Sequence, residues 1–135
     1  SPSGLDKAQA LAEAKGVKIQ TLVADLSDFP IEAGAWNGIV SIWAHMAPEP
    51  RRALHRRVVE GLAPGGAFVL EAYTPAQIEL ATGGPPDARL LMTAPGLREE
   101  LRGLDFAIAR ETVRNVHEGS WHTGRSAVVQ VLAFR

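Results

Sequence analysis

His117, Glu118, His122, Thr123 and Arg125 crowd nine consecutive residues near the end of the chain. Taken singly, each is most often a solvated loop group, but together they mark a candidate polar site. His117 and His122 do not make a metal site. Two imidazoles five residues apart, with no carboxylates at coordinating spacing, leave a coordination shell incomplete, so no metal is expected. His45 stands apart, flanked by Trp43 and Met46 at the end of the apolar stretch 38–46. An imidazole there could take a proton as a general base, or it could bond a backbone carbonyl and order the loop before Pro48. Glu71 and Tyr73 close another apolar stretch, and His55 is borne on a helix in a structural setting.

The elements that must position these residues follow from spacing. Ser3 starts a helix through its side-chain oxygen, with Leu5, Ala8, Leu11 and Ala12 on one face and Gly16 as the stop. Residues 17–23 alternate apolar with polar, which predicts an edge strand, and the nearly unbroken apolar stretch 38–46 predicts a central strand buried on both faces. Pro48 and Pro50 open a second helix with Leu54, Val58 and Leu62 four residues apart, flanked by Arg51, Arg52, Arg56 and Arg57 as a solvated face. Pro64-Gly65-Gly66 ends that helix, and 67–73 follows as a strand. Thr93 caps a helix carrying Leu97, Leu101 and Leu104, and 106–116 pairs with 126–134 as an antiparallel hairpin. Helix-linked apolar strands predict an α/β fold with a mostly parallel sheet.

Composition narrows the classes. The 135 residues suit a single domain over 1–135, and 46% apolar with 21% charged residues excludes a disordered chain. A formal charge of -1 lacks the positive field expected of a protein that binds nucleic acid or an anionic membrane, and no apolar run approaches the ~18 residues of a membrane span. The absence of cysteine removes disulfides, thiolate metal sites and a cysteine nucleophile, and it fits a cytoplasmic location. Ser1-Pro2-Ser3 carries no initiator methionine, so the chain is expected to be part of a longer product.

Three segments carry a family likeness. Ala24-Asp25-Leu26, the run from Trp36 through Asn37-Gly38-Ile39-Val40-Ser41 to Ile42, and Leu62-Ala63-Pro64-Gly65-Gly66 leading into Phe68-Val69-Leu70 resemble class I S-adenosylmethionine-dependent methyltransferases. The likeness is nearest the small-molecule branch of tellurite-resistance type and covers nearly the whole chain. Trp36 and Asn37 stand where that family's pattern has Phe and Asp. The glycine-rich loop after the family's first strand, and the acid ending its second, have no counterpart here.

The resemblance implies a Rossmann-like sheet lacking its two N-terminal strands, S-adenosylmethionine as cofactor, and a small-molecule methyl acceptor. It assigns the adenine end of the cofactor to Asp25 and Leu26, with Trp43 as either core packing or a neighbour of the ring, while Asp25 alternatively caps the following turn. It brings the hairpin tip to the edge where His45 lies, so His45, His122 and Arg125 become the residues facing the acceptor. A second reading makes the chain a non-catalytic, methyltransferase-like interaction or oligomerisation module. The family's strand order, 3-2-1-4-5-7-6, would leave 17–23 separated from 38–46 by a two-strand gap. Exposed sheet edges then favour self-association, most simply as a two-fold dimer.

Overall fold

The computed structural model describes residues 1–118 and 123–135. Helix α1 spans Pro2–Ala14. Its N-cap is Ser1 rather than the expected Ser3, which lies inside the first turn, because Pro2 has no amide to satisfy and fits the first helical position. Gly16, at φ +66°, ends it, and the amide of Val17 bonds back to the Ala12 carbonyl.

No strand follows. The expected edge strand at 17–23 is an irregular, exposed segment that joins no ladder among the described residues, with Leu22 and Val23 largely in solvent. Its alternating pattern suits a strand, but a strand needs a neighbour to accept its amides, and none pairs with it among the described residues.

Four strands form one sheet in the order β1-β2-β4-β3: β1 Trp36–Ile42, β2 Leu62–Tyr73, β3 Asp105–His117 and β4 Thr123–Phe134. β1 and β2 pair in parallel, with Val40 opposite Val69, while β4 runs antiparallel to both β2 and β3. Three strands therefore point one way and only β4 is reversed. One ladder is parallel and two are antiparallel, so the four strands make a mixed, Rossmann-like sheet with the expected C-terminal antiparallel hairpin. The stretch 38–46 is not central: β1 ends at Ile42, lies at the sheet edge and leaves Val40 68% exposed.

Helix α2, Pro48–Gly61, places its prolines in the first turn and Glu49 against the positive helix end. It stops at Gly61, earlier than the Pro64-Gly65-Gly66 turn, and 62–66 already belongs to β2. Gly61 packs so tightly on Ile31 that no Cβ fits there. A short α3, Gln77–Leu80, and a 3₁₀ turn, Ala88–Leu90, lead to α4, Ala94–Glu100. Thr93 caps α4 by accepting the Gly96 amide at 3.2 Å, as expected.

One sheet face carries the core. Phe68, Leu70 and Ala72 of β2, with Val129, Val131 and Ala133 of β4, pack under Leu54 and Val58 of α2 and under Leu97, Leu101 and Leu104. Across the other face, Val40, Val69, Leu132 and Ile108 stand in register on the four strands. Val69 and Ile108 remain exposed, and a groove of about 460 Å³ runs between Val69, Ile108 and Leu132.

Candidate active site at the carboxyl edge of the sheet

Parallel strands direct their carboxyl ends to one edge, and ligands of open α/β sheets bind there. At this edge β1 gives way to Trp43, which adopts φ +56°, a left-handed conformation costly for a bulky residue. The turn is fixed on both sides: the Trp43 amide donates to the Glu71 carbonyl at 3.0 Å, and the His45 amide donates to the Trp43 carbonyl at 3.0 Å. The indole stacks on Tyr73, with ring centroids 4.5 Å apart, and its Nε1–H donates to Glu118 Oε2 at 2.6 Å. That last bond ties the end of β3 to the loop after β1.

His45 also stacks on Tyr73, at 5.6 Å and 9° between planes. The Tyr73 amide donates to its Nε2 at 3.4 Å, so the ring proton sits on Nδ1, which faces the Leu90 carbonyl at 3.3 Å. Burial lowers the His45 pKa; the Leu90 hydrogen bond works the other way, and nearby Arg51 adds to the depression. The imidazole is therefore neutral at pH 7, the form a proton acceptor needs.

Beside it, Glu71 is gripped by the Arg114 guanidinium and accepts from Gln130 Nε2 at 2.6 Å. Burial alone would raise the Glu71 pKa, but these bonds hold it below its ordinary value. Arg114 also reaches Glu118 at 3.6 Å. Glu71, Arg114 and Glu118 thus form a charged string, of which the sequence reading singled out the two acids but not Arg114.

The other expected residues fall as follows. Asp25 is exposed, and its Oδ1 accepts the Ser27 amide at 2.8 Å, the turn-capping geometry; that bond lowers its pKa and keeps it anionic. Leu26 lines an apolar cavity of about 290 Å³ with Ile42, Ala44 and Phe29, which brings it to the end of β1. Its carbonyl accepts from Arg57 at 2.8 Å. Arg125 sits on β4 opposite Asn115 with an exposed side chain, and Thr82 donates to its carbonyl. It shares no hydrogen bond or ion pair with His45 among the described residues. His122 lies outside the described residues.

A second buried polar cluster holds the helices. Glu100 accepts from Arg51 Nη2 at 2.8 Å and from His55 Nδ1 at 2.7 Å. Burial would raise its pKa, but His55 and Arg51 hold it at about 2. His55 is structural, as expected, whereas Arg51, 8% exposed, is not part of a solvated face. The i, i+4 spacing of Arg51 and His55 on α2 was the available signal.

No family model matches the chain, and no protein of curated function matches it. Solved structures do. A protein of the conversion of a disulfide bond into a thioacetal group during echinomycin biosynthesis aligns at 16% identity with a TM-score of 0.75, over 100% of this chain and 63% of its own. TehB from Haemophilus influenzae aligns at 16% and 0.76, over 100% of this chain and 47% of its own. A SAM-dependent methyltransferase from Methanosarcina mazei aligns at 12% and 0.66, over 95% and 75%. The fold is that of the class I S-adenosylmethionine-dependent methyltransferases. The chain spans less than two thirds of the length of the first two of these proteins. Among the described residues, no helix is long and apolar enough to cross a membrane, and no group of three acidic or histidine side chains could hold a metal ion.

Proposed function

We propose that this chain is the C-terminal part of a cytoplasmic methyltransferase that uses S-adenosylmethionine to methylate a small-molecule acceptor. The observation that carries this reading is the strained Trp43 turn, which sets a neutral His45 against Tyr73 at the carboxyl edge of a methyltransferase-like sheet. The residues suit the adenine end of the cofactor. Asp25 has one carboxylate oxygen on the Ser27 amide and lone pairs remaining for an exocyclic amine, and Leu26 offers an apolar wall, while Trp43, next in sequence to Ile42 and Ala44 of that wall, turns its indole onto Tyr73. Bound, the cofactor supplies a methyl group on a sulfonium. Among the described residues no glycine-rich turn joins a strand to the following helix, so the methionine end falls to residues beyond these.

In this reading His45 accepts the acceptor's proton at Nε2, giving up the long bond from the Tyr73 amide. Arg125 and His122 orient the acceptor, whose class is anionic or soft. Methyl transfer to a prepared nucleophile requires alignment more than covalent help, so a sparse set of polar groups suffices. The second reading, a non-catalytic module that self-associates, draws on the bare outer edge of β1 and the exposed apolar row through Val40 and Val69.

Thermal unfolding with S-adenosylhomocysteine separates the two. A ligand bound only by the folded chain stabilises it by about 2.7 kcal/mol at a hundredfold excess over Kd, and Asp25→Ala should weaken that response. No shift at saturating ligand, together with a concentration-dependent dimer in sedimentation equilibrium, favours the second reading.

A further inference from the structure

The arginines of α2 were read as a solvated face, yet three of them converge on a cleft. Arg51, Arg52 and Arg56, with Arg102 just beyond α4, line a concavity of about 530 Å³ between the two helices. Charge bookkeeping there is uneven. Arg51 is spent on Glu100, whose oxygens are further taken by His55. Arg52 meets carboxylates only at 3.9 and 4.0 Å. Arg56 and Arg102 form no ion pair among the described residues, and Glu99 is the one carboxylate of the lining left uncommitted. Three guanidinium groups therefore face one free acid, in a chain whose net charge is -1.

Arg52 and Arg56, four residues apart on one helix, repel each other mildly, so their placement costs stability unless something anionic sits between them and Arg102. The Arg51–Glu100–His55 cluster beneath holds α2 and α4 at a fixed separation, which makes the cleft a preformed one. Guanidinium forks suit paired oxygens of phosphate, and no aromatic ring lines the cleft to stack a base.

We infer that the cleft between α2 and α4 binds a small anion carrying two or more phosphate groups. Apart from Arg51, whose charge also reaches His45, none of its lining residues belongs to the carboxyl-edge site, and the variants below leave Arg51 in place, so the inference stands apart from the methyltransferase reading. The test is calorimetry of the chain with inorganic pyrophosphate, against sodium chloride at matched ionic strength. A saturable one-site isotherm is expected with pyrophosphate alone. The double variant Arg56→Ala/Arg102→Ala should bind about a hundredfold more weakly, since each charged donor lost is worth roughly a factor of ten. Glu99→Gln should tighten binding several-fold, a gain that misfolding cannot produce. Arg110→Ala, on β3 and bonded to Gln130, should bind as the unaltered chain does. Equal heats from sodium chloride, an unaltered double variant, or a single-stranded oligonucleotide outcompeting pyrophosphate for the cleft would each overturn the inference.

Discussion

The segment 17–23 and strand β2 both carry sequence patterns that suit a strand, yet their fates are opposite. β2 lies between β1 and β4, has ladder partners on both sides, and presents Phe68 and Leu70 to α2 and α4 with almost no exposure. The earlier segment also carries Val, Ile and Leu but has no neighbouring strand among the described residues, and Leu22 stays 69% exposed. An apolar pattern specifies which face would be buried; it does not supply what buries it. Stability should therefore be concentrated in the sheet and its two helices.

The largest test of that contrast is Phe68→Ala. Phe68 is fully buried and meets His55 edge-on at 6.2 Å, so its truncation should cost about 3–5 kcal/mol in chemical denaturation. A loss below 1 kcal/mol would mean that β2 is not the centre of the core. Next comes Glu100→Gln, expected to cost about 3 kcal/mol because it strands Arg51 at a buried position. It also predicts a pH signature. The folded pKa of about 2 lies below the ordinary 4.5, so the unfolded state binds more protons in that interval and stability rises with pH across it. The contribution is complete above 4.5 and disappears as pH falls through about 2. Glu100→Gln should flatten this slope, and an unchanged slope would assign it to other acids.

At the small end, Leu22→Ser should alter stability by less than about 0.5 kcal/mol. Amides of 18–24 should exchange with solvent deuterium far faster than those of β2 and β4. Protection at 18–24 in solution would show that the segment has found a partner, the outcome self-association through the sheet edge requires.

Much of this architecture was legible because it is local. The Thr93 cap, the buried Leu97-Leu101-Leu104 face and the facing strands 106–116 and 126–134 each depend on residues close in sequence or on simple alternation. The misreadings share a cause. The unpaired 17–23 and the edge position of β1 depend on which strands stand alongside, information a segment does not carry. The site was legible in part for a similar reason. His45 could be singled out by type and position, but its partners, Tyr73 and Leu90, lie 28 and 45 residues away. The left-handed turn at Trp43 had no signal at all, since an indole is among the residues least expected there. Arg51 was misplaced because its partner Glu100 sits on another helix.

The stacking of Trp43 on Tyr73 gives the candidate site its own optical signal. Tyr73 is the sole tyrosine of the chain, and its ring lies 4.5 Å from an indole. In the folded state its excitation passes to Trp43, and phenol emission is extinguished. Unfolding, which carries the two rings far apart, should restore that emission. The fluorescence of one residue therefore reports the folded packing of the candidate site without a label.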